Sequence, residues 1–185
     1  MKRFLIFTGI AVVVIILVMQ AIGQIKFIYT KSFSPEEEVA FEQGDLHIEV
    51  FYNRPSKKGR KIFGGLVPYD KVWRTGANEA TIIDLSRDIT IQDKKLKAGK
   101  YSLWTIPGEE IWTIIFNAEY GQWGINSDGE ANRDPKKDVL AVDVKPIVKD
   151  QVTEQFTIDF ERVGYDAEMV LLWDSVSVPM PFTYR

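Results

Sequence analysis

The sequence predicts a mainly β protein, an antiparallel β-sandwich preceded by an N-terminal transmembrane helix. Three observations predict it. Phe4 to Met19 form an apolar run behind Lys2 and Arg3. From Ala40 onward apolar residues recur at every second position in short segments, the period of a half-buried strand. Turn-forming residues break these segments repeatedly, and no window after the first run has a good helical period. The chain of 185 residues then divides into an anchor or signal segment over 1–28, a spacer over 29–38 and a single β-sandwich domain over 39–185.

The N-terminal run comes first. A spanning helix needs about 20 mostly apolar residues, and Phe4 to Ile22 approaches that length. The apolar part of a cleaved signal peptide is shorter, about 7–15 residues, so the length favours a retained anchor. Ala21-Ile22-Gly23 has the small residues of a cleavage site, and secretion of a chain starting at Gln24 is the alternative. Lys2 and Arg3 favour a cytoplasmic N-terminus against Lys26 and Lys31 beyond the run. Both readings export the domain that follows. Ser32 to Glu38, SFSPEEE, reads as a solvated stalk; a short helical turn from Ser34 is the other reading.

The strand segments follow in order. Leu46, Ile48, Val50 and Tyr52 face one way, with His47, Glu49 and Phe51 opposite. Ile82–Leu85 and Ile89–Ile91 flank a break at Ser86-Arg87-Asp88. Leu96–Gly99 precedes Tyr101–Ile106, and Pro107-Gly108 turns the chain into Ile111–Phe116. Leu140, Val142 and Val144 alternate, as do Phe156, Ile158 and Phe160. Ala167, Met169, Leu171 and Trp173 share one face of a longer strand, and Val176, Val178 and Met180 alternate after it.

Composition removes several function classes. Net charge is −3 with no basic stripe, so nucleic acid is not an expected partner. The absence of Cys excludes disulfides, thiolate nucleophiles and lipid-modified Cys anchors. A single His, His47, excludes a multi-His metal cluster; no metal and no cofactor is expected. There is no G-x-S-x-G, P-loop or dinucleotide fingerprint. The stretch 126–134 lacks the spacing of a calcium loop and reads as a solvated turn.

Chemistry is expected in the long loop from Asn53 to Thr81, NRPSKKGRKIFGGLVPYDKVWRTGANEAT. Ordered polar loops on a rigid scaffold are where binding groups concentrate. Arg54, Arg60 and Arg74 offer planar charged forks, Trp73 a stacking face, Asn78 a donor–acceptor pair and Glu79 a carboxylate. Trp123, between Gln122 and Gly124, is a second aromatic wall. These residues are the expected binding site for a small polar or anionic ligand. The competing reading is a clasp, in which Arg74 pairs with Glu79, Trp73 is core, and Arg54 and Arg60 brace carbonyls. A carboxylate-dependent hydrolase using Glu79 with Asp70 or Asp84 is a further alternative, although no residue is assigned as catalytic. An envelope structural or assembly protein without a small ligand is the third. His47 reads as an ordinary strand residue near Glu49.

The loop also carries a family likeness. Arg54-Pro55-Ser56, Lys58-Gly59-Arg60, Ile62–Tyr69 and Val72–Thr81, followed by Leu96-x-Ala98-Gly99-x-Tyr101-Ser102-Leu103, Ile106-Pro107-Gly108, Trp112-Thr113 and Gln122-Trp123-Gly124, resemble the domain of unknown function 2911 family. The likeness is densest from Leu46 to Val144. It implies an exported bacterial β domain, at the cell membrane on the periplasmic side or secreted. It carries no established activity, so no catalytic residue is transferred from it.

Overall fold

The computed structural model describes residues 2–164 and 166–184. The chain divides into two units, one ending at Phe33 and one beginning at Ser34. The first is a helix, α1, Lys2–Ser32. Within it, Val12–Ser32 is 21 residues long and apolar enough to cross a membrane, since that length rises about 30 Å. Its exposed apolar side chains run consecutively from Val12 to Met19, and a helix apolar all round is suited to lipid. A signal segment meets the same criteria. The side chains of Lys2, Arg3 and Lys26, which set the expected orientation, lie outside those described.

The second unit is antiparallel β throughout. Its strands are β1 Glu36–Gln43, β2 Leu46–Asn53, β3 Thr81–Leu85, β4 Ile89–Ile91, β5 Lys94–Leu96, β6 Gly99–Ile106, β7 Trp112–Asn117, β8 Asp138–Val144, β9 Ile147–Val163 and β10 Asp166–Phe182. Six form one sheet in the order β1-β2-β3-β6-β7-β8. β9 pairs with β10, and β4 with β5. Thr90 of β4 exchanges both backbone hydrogen bonds with Thr183, just past β10, which joins the two hairpins into a second layer. Ile48 and Val50 of β2 and Ile114 and Phe116 of β7 share one core with Phe156, Ile158, Met169, Leu171 and Trp173 of the second layer. The arrangement is the expected two-layered one.

Three local features depart from the pattern read along the chain. Glu36, Glu37 and Glu38 are the start of β1 rather than a stalk or a helical turn: Glu36 pairs with Asn53 and Gln43 with Leu46. β1 is the edge of its sheet, so charge on its outward side is tolerated and discourages further pairing. The spacer expected over 29–38 is thus divided between α1 and β1. Second, β10 runs unbroken through both apolar segments. Ala167, Met169, Leu171 and Trp173 are buried at odd positions, Val178, Met180 and Phe182 at even ones. The phase changes at Asp174, where the register with β9 shifts and φ is +55°, a backbone conformation outside the β region that interrupts the strict alternation. Third, Gln92 and Asp93, both at positive φ, turn the short β4–β5 hairpin. Phe160 of β9 is half-buried at the rim of the core and stacks on Phe41 at 5.2 Å between centroids.

Leu171 is 2% exposed at the centre of this core. Leu171→Ala is expected to cost about 2–5 kcal/mol, read by urea denaturation, while Val148→Ala at a 79% exposed position stays within about 0.5 kcal/mol.

Candidate functional site

The loop between β2 and β3 has two halves. The first closes the sandwich. Phe156 N–H donates to Pro55 O at 2.9 Å and Lys57 N–H to Glu154 O at 2.7 Å, so residues 55–57 extend the second layer along β9. Arg54 Nε donates to Phe156 O at 3.0 Å and Nη2 to Thr157 Oγ1 at 2.7 Å, with Glu37 3.4 Å from Nη1. Arg54 thus ties β1 and β9 to the loop. Lys57 pairs with Asp174 at 2.5 Å, the residue at which the alternation of β10 breaks. Arg60 donates to Lys57 O and Ser56 O of its own loop at an exposed position. Ile62, Phe63 and Val67 enter the core, where the Phe63 ring meets Trp112 edge-on at 4.9 Å.

The second half leaves the sheet and returns to it. Trp73 pairs with Thr105 of β6 through two backbone hydrogen bonds of 2.7 and 2.9 Å. Thr81 pairs with Leu103 of the same strand. Trp104 alone separates these partners on β6, whereas residues 74–80 separate them on the other side. The excursion is closed by Thr81 N–H on Arg74 O at 3.3 Å. Alternation along the chain sends consecutive side chains to opposite faces. Trp73 goes inward, stacked on Trp173 at 5.9 Å, with its indole N–H on Gly76 O at 2.9 Å. Arg74 is left on the outer face.

That outer face has its own small apolar cluster of Ala80, Trp104 and Ile115, with Val72, Ile106 and Ala131 packed against it. Gln122–Gly124 runs antiparallel to Asn78–Ala80: Ala80 N–H donates to Gln122 O at 3.1 Å, Gly124 N–H to Asn78 O at 2.9 Å, and Glu79 faces Trp123. Asn132 holds the same segment through Gly124 O and Trp123 O. Beneath it runs a polar chain. Asn78 Nδ2 donates to Asn53 Oδ1, and Asn53 Nδ2 to Glu79 Oε2, each at 3.1 Å. Asn78 has φ +58°, which Asn tolerates. Thr75 has φ +55°, an outlier for a β-branched residue that costs about 1–3 kcal/mol. It is fully buried and held by Thr105 Oγ1 at 3.2 Å and by Thr81 Oγ1 on its carbonyl at 2.6 Å. Strain of this kind persists where the surroundings over-determine it, and binding sites are one such place.

Arg74 is the unusual member. Its stem lies across Gly124 so closely that a β-carbon there would overlap Arg74 Cβ, Cγ and Cδ. Its Nε is buried without a hydrogen-bond partner. Among the described residues no ion pair joins Arg74 to Glu79 or to another carboxylate. Burial lowers the guanidinium pKa from its ordinary value, with no acid to oppose it.

The structure therefore brings Asn78, Glu79 and Trp123 onto one paired segment, with Arg74 lying across its Gly124, and places Arg54, Arg60 and Trp73 elsewhere in loop bracing and core. Asp84 pairs with Lys100 at 3.0 Å, and Asp70 lies in an exposed turn. Four participants were not among the expected site residues: Asn53, Thr75, Gln122 and Gly124. Only Asn53 had a local signal, a buried amide ending an alternating strand; the others acquire meaning from chain segments far away in sequence.

A model of one protein family matches residues 34–182. The chain belongs to that family, described as protein of unknown function (DUF2911). The match begins at the first residue of the second unit, so the DUF2911 domain is the β unit and α1 lies outside it. No curated protein and no solved structure matches the chain.

The single histidine of the DUF2911 domain lies apart from this segment. His47 Nε2 is 2.9 Å from Glu49 and Nδ1 3.3 Å from Glu42. The hydrogen bond to Glu49 raises its pKa above the ordinary value; partial desolvation opposes it, and the charges of Glu49 and Glu42 add to the rise. A raised folded value means that His47 adds stability at pH below its unfolded value of about 6.5, and that this is lost as pH rises through the folded value. NMR titration of the His47 ring is expected to give a midpoint above about 6.5, and Glu49→Gln to bring it down.

Proposed function

We propose that this chain is an exported binding domain, held at the bacterial cell membrane by α1 on the periplasmic side, which takes a small anionic ligand at Arg74. One observation carries the reading: a half-buried guanidinium whose Nε is buried without a partner and which has no counter-charge. Buried charges are ordinarily paired, and Arg presents its donors in a fork that fits a carboxylate or phosphate bidentately. The stem is clamped on Gly124, so the fork is pre-positioned and little side-chain entropy is lost on binding. Glu79, Asn53 and Asn78 hold the backbone that presents it.

Mass spectrometry of the mature N-terminus tests the tether. An intact α1 is expected, and a chain starting at Gln24 replaces the anchor with secretion.

Arg74→Met tests the site. No carboxylate loses a partner, so the variant's melting temperature is expected to equal or exceed that of the wild type. A small carboxylate or phosphate at 100 times its Kd should raise the wild-type melting temperature by about 5–10 °C and leave Arg74→Met unmoved. Destabilisation of the variant by about 3–5 kcal/mol, the cost of breaking a buried ion pair, together with no anion ever shifting the wild type, overturns the proposal in favour of a structural clasp.

A further inference from the structure

The antiparallel order of the six-stranded sheet sends every second connection to the same end. Glu36 pairs with Asn53, Ile82 with Phe51, Ile106 with Thr113 and Trp112 with Val144. The start of β1, the loop 54–80, the turn 107–111 and the turn 145–146 therefore share one end. The chain enters the β unit here: Pro35 O accepts Arg54 N–H at 2.8 Å, and only Phe33 separates the unit from α1 in sequence.

Among the described residues, the β unit exposes eight large apolar side chains. Five of them, Leu66, Ile111, Ile147, Val148 and Val152, are at this end. Exposed apolar groups collected in one region mark a partner or a membrane. Three belong to the start of β9, where the ladder to β10 opens. Thr153 pairs with Asp174 and Val148 with Val176, which leaves Lys149–Val152 without partners on β10, and Val148 is 79% exposed. Lys57 N–H donates to Glu154 O at 2.7 Å and Lys58 N–H to Glu154 Oε1 at 2.8 Å, so residues 57–61, KKGRK, run alongside. With Lys145 and Lys149 they supply six cations against Asp150, Glu154 and Asp174, an excess of three in a chain of net charge −3. Asp70, Glu109 and Glu110 belong to a different contact, in which Asp70 N–H meets Pro107 O at 2.8 Å.

Resting on the reading of α1 as a tether, we propose that this flank docks on the lipid surface that α1 enters. Val148 and Val152 meet the acyl boundary, and Arg60, Lys61 and Lys149 lie among anionic headgroups. Apolar and basic side chains on one surface are the composition of an interfacial contact, and lysine stems extend along apolar surface while the charge stays in water. Each lysine is weakly attracted to anionic lipid. The short connection through Phe33 keeps this end of the domain near the bilayer, so weak attractions act at high local concentration.

The chain has no Cys, so Val148→Cys gives the full-length chain a single thiol for an environment-sensitive fluorophore. Val163→Cys, exposed at the far end of the same strand, is the control. Each labelled chain is placed in nanodiscs of phosphatidylcholine, alone or with phosphatidylglycerol. Acrylamide quenching of the label at residue 148 is expected to fall when phosphatidylglycerol is present, and at residue 163 to stay unchanged. Lys61→Gln combined with Lys149→Gln should cut the docked-to-undocked ratio about 25-fold, about fivefold per lysine, and raised salt should act in the same direction. Quenching at residue 148 that is indifferent to phosphatidylglycerol overturns this inference and leaves the tether standing. Shielding that follows the number of chains per disc does the same, and assigns the surface to a second copy. Failure of the chain to enter discs of either composition overturns both.

Discussion

The pairing of Trp73 with Thr105 is the constraint on which the candidate site depends. Two backbone hydrogen bonds hold one residue of a long loop in register with β6, as if β3 had begun early. Because a strand alternates its side chains, that register assigns Trp73 to the core and Arg74 to the outer face in one step. The chain then departs for residues 74–80 and rejoins β6 at Thr81. A slip of one residue would exchange the two side chains, burying a guanidinium among Trp112, Trp173 and Phe156 and exposing the indole. The aromatic cluster therefore orients the arginine as well as stabilising the domain.

The excursion is costly in local terms. Thr75 and Asn78 adopt positive φ, and Arg74 loses hydration without gaining a carboxylate. Three things offset this cost. The Asn53–Asn78–Glu79 chain ties the excursion to the end of β2. Gln122–Gly124 pairs with its far side. Trp104 gives it an apolar floor, with the indole N–H satisfied by Ser102 Oγ at 2.8 Å. The result is a frame braced on three sides around one unneutralised charge.

The remainder of the domain protects its edges. β8 ends the six-stranded sheet, yet Gln92 Nε2 and Lys94 Nζ donate to Asp143 O and Ala141 O along it, so side chains of the β4–β5 hairpin occupy acceptors that another strand would use. At the opposite edge Arg162 donates to Glu42 O on β1 and its guanidinium lies over Phe41. Capping exposed ladders in this way restrains edge-to-edge association, which matters for a domain with two 17-residue strands in one hairpin.

Much of this was legible in the chain itself. Alternation at Leu46–Tyr52 and Leu140–Val144 fixes which residues are buried, since a period of two admits one inward face. The apolar run of α1 likewise follows from length and composition alone. What escaped was decided between distant segments. Glu36–Glu38 read as a stalk because charge is uninformative until an edge strand's partner is known. Asp174 joins two apolar phases because its positive φ breaks the alternation, which no local pattern announces. The sequence by itself determined an antiparallel β domain behind an apolar segment long enough to cross a membrane, and pointed to the Asn53–Thr81 loop. Only the tertiary structure separated Arg54 and Arg60, satisfied by nearby carbonyls, from Arg74, which β6 and Gly124 together leave desolvated and unpaired. Chemically identical side chains diverge there because burial and partners belong to the packed chain and not to the residue.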